Sequence, residues 1–184
     1  MNPDAIRAEI DSLKAALYAA SRFDPPQAVA DALLSRDHGS PVRLSALFGE
    51  KPDLILIHNM GRACPYCTLW ADGFIGLWPH LASRAGFALC SPDEPMVLRD
   101  FARSRKWPFP CVSAAGTTFI HDMGFEPAPG KPMPGVSTFR RRPDGAIERI
   151  ASTLFGPMDD FCAVWPMFQM LADGPNGWSP RYSY

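Results

Sequence analysis

Leu54-Ile55-Leu56-Ile57-His58 runs through a four-residue link, Asn59-Met60-Gly61-Arg62, and Ala63 into Cys64-Pro65-Tyr66-Cys67, after which Thr68-Leu69-Trp70-Ala71-Asp72 reads as helix. A short strand apolar on both faces belongs inside a parallel sheet covered on each side. A buried strand that turns sharply and opens a helix narrows the chain to an α/β architecture, and here two cysteines stand at the turn.

Cysteines three apart on a helix lie one above the other, close enough to join as a disulfide. The first sits at the open helix end, where unpaired N–H groups and the positive end of the macrodipole favour thiolate over thiol. Such thiols have pKa values of roughly 3.5–7.5 instead of about 8.5. Arg62 adds a positive charge in the same direction, and Pro65 suits the first helical position, where a missing N–H costs nothing. A zinc site needs a second close pair of ligands, and Cys90, Cys111 and Cys162 are isolated single residues. Thiol redox chemistry is therefore the expected use of the motif, with Cys64 as nucleophile and Cys67 as resolving thiol. A module that holds a soft metal ion through the two thiolates, and a non-catalytic binding domain, are the alternatives.

The chain has 184 residues, enough for one well-cored domain. Eighteen basic and nineteen acidic side chains nearly cancel, so no general attraction to nucleic acid or to an anionic membrane is implied. No apolar run is long enough to span a bilayer, and the N-terminal stretch Met1-Asn2-Pro3-Asp4 lacks the apolar core of a signal peptide. With an odd number of cysteines, five, a cytoplasmic setting is expected, and no cofactor is.

Ile6, Ile10, Leu13 and Leu17 recur at spacings of four, three and four, which predicts an amphipathic helix over residues 3–21 that covers one flank of the sheet or meets a partner. A second helix is predicted after Asp24-Pro25-Pro26, through Val29, Leu33 and Leu34, to Gly39. Together they form an expected N-terminal helical extension, 1–40, ahead of the main domain, 41–184. Within that domain the helix begun at the cysteines runs to about Arg84, with a bend expected where Gly73, Gly76 and Pro79 interrupt it. Residues 86–91 read as a buried strand holding Cys90 in the core. Ser91-Pro92-Asp93-Glu94 reads as a capped helix start, which makes a βαβ unit with a right-handed crossover. A short strand, Cys111-Val112-Ser113, precedes a Pro- and Gly-rich loop. Residues 136–141 and 146–152 then form a hairpin about Pro143-Asp144-Gly145. Residues 158–171 are expected to close the chain as a helix, and the aromatic tail from Trp178 to Tyr184 to pack on the body or on a second subunit. Arg140, Arg141, Arg142 and Arg149 read as charges guarding an exposed sheet edge, and His58 as a hydrogen-bonded core residue or a neighbour of the dithiol.

This order of elements resembles the thioredoxin fold, a central mixed sheet flanked by helices. Cys64-Pro65-Tyr66-Cys67 is identical to the dithiol motif of glutaredoxins, and Val42 to Gly49 is similar to the lead-in of the peroxiredoxin-like branch. The stretches Cys64 to Phe74, Trp107 to Ser113 and Pro134 to Ser137 together resemble an uncharacterised bacterial family of predicted dithiol-disulfide oxidoreductases. That resemblance implies a protein or small-molecule disulfide or thiol as substrate. Two departures qualify it. Thioredoxins place a cis-proline before the strand facing the dithiol, a slot that the motif alignment gives to Ser137. A peroxidatic cysteine follows a threonine three residues upstream, where this chain has Gly61. Pro65, Tyr66, Val136 and Ser137 are the expected borders of a substrate groove, and a homodimer is possible.

Overall fold

The structure, a computed structural model, describes residues 2–184. Helix α1 (Pro3–Ala20) leads to strands β1 (Arg22–Val29), β2 (Leu33–Arg36) and β3 (Pro41–Arg43), then a 3-10 turn at Leu44–Phe48. Strand β4 (Asp53–His58), helix α2 (Pro65–Arg84), strand β5 (Gly86–Ser91), helix α3 (Pro95–Arg105) and strand β6 (Cys111–Ser113) follow. The chain ends with the four-residue helix α4 (Phe119–Asp122), the hairpin β7 (Gly135–Arg141) and β8 (Ile147–Leu154), and the short helix α5 (Val164–Gln169).

All eight strands join one mixed sheet in the order β1-β8-β7-β4-β5-β6-β2-β3. β4, β5 and β6 are parallel, and β7 runs antiparallel to β4, with Ile57 opposite Val136 and His58 opposite Gly135. Strand alternation sends Leu54, Leu56 and Phe139 to one face and Ile57 to the other, where Trp70, Phe74 and Phe87 meet it. From Leu56 to His58 β4 is buried on both sides, because α2 covers one face while α4 and the loops around Phe125 cover the other. Gly135 is where β7, β8 and Phe125 converge: a Cβ there would lie 2.3 Å from the Thr153 carbonyl oxygen.

Several elements differ from the reading of the sequence. Of the helical extension expected over 1–40, only α1 is helical; the predicted second helix is instead β1 and β2. Asp24-Pro25-Pro26 explains this, because a residue before proline is driven from the helical region and proline is tolerated on an edge strand, which β1 is. The Val29, Leu33, Leu34 spacing was ambiguous, and pairing of β2 with β3 and β6 decides it. Helix α3 starts at Pro95 instead of Pro92, since the Ser91 hydroxyl accepts from the Asp93 N–H and makes a turn of that segment. The closing helix shortens to 164–169. The hairpin forms about Gly145 as expected, but the central position of β7 and β8 means that its arginines guard no edge.

α1 has an N-cap at Asn2, yet none of its residues is buried. Leu13 and Leu17 of the predicted apolar stripe keep 63% and 59% of their surface. The helix is moored at its C-terminal half, where Lys14 and Tyr18 both donate to the Asp160 carboxylate, at 2.7 and 2.9 Å. The tail packs as expected: Trp178 lies against Trp165 and Phe168, and Tyr182 meets Phe101 edge-on.

Candidate active site

The carboxyl ends of β4 and β5 carry the site. After His58 the backbone leaves the sheet, and Asn59 donates its N–H to the Cys90 carbonyl (2.9 Å) while its side-chain oxygen accepts from Gly61 N–H (2.7 Å). Gly61 turns the chain at φ +98°, a conformation that favours glycine, and a Cβ there would stand 3.0 Å from an Asp93 carboxylate oxygen. Asp93, just past β5, accepts from Arg62 N–H (2.7 Å) and from the Ser91 hydroxyl (3.1 Å). Two loops that leave adjacent parallel strands are thereby tied to each other.

This turn delivers Cys64 as the N-cap of α2, in extended conformation, with Pro65 in the first turn. The Cys64 sulfur accepts the N–H of Cys67 at 3.1 Å, the bond that a serine or aspartate oxygen ordinarily makes at this position. The Cys64 carbonyl accepts from the Thr68 N–H and hydroxyl, both at 3.1 Å. Cys67 in turn has its sulfur 3.4 Å from the Met60 N–H. Both cysteines are free thiols; Cys64 keeps 9% of its surface and Cys67 3%.

The hydrogen bond from the Cys67 side chain, aided by the N–H groups of Cys67 and Tyr66 and opposed by burial, holds the Cys64 pKa down to about 7. Sharing that bond with Cys64, together with burial, pushes the Cys67 thiol well above the ordinary thiol range. The pair is thus unequal: one thiol ionises near neutrality and the other serves as its donor. Cys90 and Cys111 are buried away from water, which pushes each to about 12, and Cys162 is also raised by burial.

The other expected site residues divide. Tyr66 is half-buried and packs between Trp70 and Trp165, with ring centroids at 6.2 and 6.3 Å. Trp70 and Asp72, which the sequence placed only on the helix, tie α2 to its surroundings: Trp70 donates to Asp159, and Asp72 accepts from Arg105 and Trp107. Val136 lies on the α2 side of the sheet, half-buried. Ser137 does not border a groove. It has no exposed surface, points to the opposite face, and bonds His58 Nε2 (2.9 Å) and Arg149 Nε (3.1 Å). β7 begins at Gly135, so Ser137 lies inside the strand; the buried Pro134 precedes it, with a trans peptide bond.

His58 is a core residue. Its ring stacks on Phe125 at 3.8 Å, and burial, then the Arg149 charge, hold its pKa down to about 3, which leaves a neutral imidazole. Arg149, read from the sequence as a surface charge, is 5% exposed and lies over the rings of Phe23 and Phe125.

Asn59 and Asp93 were not singled out from the sequence. Their signal is positional: both follow directly on the carboxyl ends of adjacent parallel strands, where α/β sheets place functional loops. Among the described residues no three His, Cys, Asp or Glu side chains are grouped to hold a metal ion, and no helix is long and apolar enough to cross a membrane.

A family described as bacterial protein of unknown function (DUF899) matches residues 9–182. No curated protein sequence matches the chain. Among solved structures, the peroxidoxin BcpB of Mycobacterium tuberculosis is similar at 29% identity, over 68% of this chain and 84% of that one, with a TM-score of 0.55. Reduced Prx3 of Vibrio vulnificus, solved in complex with H2O2, is 15% identical over 73% of this chain and 88% of its own, with a TM-score of 0.58. A hypothetical protein from Sinorhizobium meliloti covers 85% of this chain and 76% of its own at 15% identity and a TM-score of 0.53. The fold is thioredoxin-like, the fold of peroxiredoxins.

Proposed function

We propose that this chain, which belongs to the bacterial family of unknown function DUF899, is a thiol–disulfide oxidoreductase. The observation that carries the reading is the Cys64 sulfur at the N-cap of α2, bonded to the Cys67 N–H at 3.1 Å and lowered to a pKa of about 7. The Cys64 thiolate attacks one sulfur of a substrate disulfide, forms a mixed disulfide and expels the other sulfur as thiolate. Cys67, deprotonated, then attacks the Cys64 sulfur, closes the Cys64–Cys67 disulfide and releases the second substrate thiol. The substrate gains two electrons and the protein loses them, so a thiol reductant returns the pair to the start. Cys64 is the attacking sulfur because it keeps the larger exposed surface and the lower pKa.

The test uses oxidised glutathione. Cys67→Ser is expected to accumulate one glutathione per chain on Cys64, and the wild type to lose two thiols together, a loss abolished by Cys64→Ser. Wild-type thiols that stay reduced in excess oxidised glutathione would remove the proposal.

The 29% identity to a peroxidoxin favours a second reading, peroxide reduction. There the Cys64 thiolate attacks one peroxide oxygen, forming an S–O bond as the O–O bond breaks; the other oxygen departs and takes a proton from solvent to leave as water or alcohol. The resulting Cys64 sulfenic acid condenses with the Cys67 thiol to the same disulfide with loss of water. Gly61 stands where that chemistry has a threonine hydroxyl, so oxidation by hydrogen peroxide is expected to be slower than by the disulfide. The metal-binding alternative has only two thiolates to offer, and zinc stoichiometric with purified protein would favour it.

A further inference from the structure

The sheet face that α2 covers is not filled to its edge. Between α2, the α1–β1 junction and the strands β4, β7 and β8 lies a cavity of about 380 Å³, within the usual size of small-molecule sites. Its walls are mainly apolar, with Ile55, Ile57, Phe74, Val136, Phe155 and Phe161, and hydroxyl-bearing residues such as Tyr18, Ser21 and Ser152 complete them. At the junction of Arg22, Ile55 and Thr138 it meets a second trough, of about 500 Å³, which has a different character. Four guanidinium groups line that trough, Arg22, Arg84, Arg140 and Arg142, against two carboxylates, Asp53 and Glu148. Asp53 takes up Arg84 and Arg140, and Glu148 takes up Arg142. Among the described residues the Arg22 side chain makes neither an ion pair nor a hydrogen bond, and it stands where the apolar cavity and the charged trough join.

We propose that this pair of troughs binds a free single-chain amphiphile with an anionic headgroup, of the medium-chain carboxylate class. The chain lies on the Ile55–Val136 floor, and the headgroup meets Arg22. Burial of the chain supplies the affinity, and Arg22, the guanidinium at the junction that has no ion-pair partner among the described residues, supplies the preference for an anion. Neither cysteine lines the cavity, and Phe74, which does, is seven residues beyond Cys67, about 10 Å along the helix axis. The test of this site reads binding and not thiol chemistry, so it is decided independently of the redox proposal.

The test is titration of the full chain with decanoate and with decanol below their aggregation limits, by calorimetry and by methyl NMR. Decanoate is expected to bind one to one and to shift the methyl signals of Ile55 and Ile57. Those of Ile120 and Ile147, in the core of the other sheet face, stay in place. Arg22→Ala is expected to weaken decanoate about fivefold, the order of one exposed ion pair, and to leave decanol unchanged. Ala151→Phe, which places a ring in the cavity, abolishes binding of both. Should that variant fail to fold, the wild-type methyl shifts decide alone. Absence of saturable decanoate binding, shifts that spread equally to Ile120 and Ile147, or capture of anionic phospholipid vesicles without any response to decanoate would overturn the proposal.

Discussion

The turn at residues 59–64 and the helix at 3–20 lie at opposite extremes of the same structure. In the turn, the Asn59 and Asp93 side chains take up the N–H groups of Gly61 and Arg62, and the Cys64 sulfur takes up that of Cys67. The backbone there is over-determined from two neighbouring strands. In α1 the local signals are equally good, with a proper N-cap and an apolar stripe, but no residue is buried and the mooring is a pair of polar contacts to Asp160. The difference separates two things that a sequence pattern merges: the capacity to form a helix, and the presence of something for its apolar face to cover.

Substitutions sharpen that contrast. Cys64→Ser is expected to have the largest effect, loss of all disulfide exchange at the pair with little change in melting temperature, read by thiol counting and thermal unfolding. Leu56→Ala, at a fully buried position of β4, is expected to cost about 2–5 kcal/mol in denaturant unfolding. Asp93→Ala leaves the exposed Arg62 N–H to water and is expected to cost about 0.5–1.5 kcal/mol, with loss of hydrogen-exchange protection confined to residues 61–64. Leu13→Ser on α1 is expected to change stability by no more than about 0.5 kcal/mol. A cost near that of Leu56→Ala would mean that the stripe is covered in solution, and the contrast would break.

Much of the site was legible. The apolar run 53–58, the Cys-Pro-Tyr-Cys turn and the helix behind it needed only local rules, because each residue there agrees with its element. The strand at 86–91, with Cys90 in the core, was readable for the same reason. What was missed depends on partners distant in sequence. Leu33 and Leu34 could satisfy helix or strand spacing, and what settles it is their pairing with β3 together with that of Ser35 and Arg36 with β6, nearly eighty residues away. Ser137 was placed by motif alignment, whereas strand alternation from Val136 turns it to the far face, towards His58 and Arg149. Arg149 looked like a surface charge because nothing local announces the two aromatic rings, Phe23 and Phe125, that receive it.

The account rests on the unequal ionisation of two neighbouring thiols, and the pH dependence of Cys64 alkylation in the native protein measures it directly. Because a lowered thiol pKa places thiolate at lower pH, the rate at Cys64 is expected to rise with a midpoint near pH 7, while Cys67 stays unreactive across the same range. A midpoint near the ordinary thiol value of about 8.5, or equal rates at the two cysteines, would contradict it.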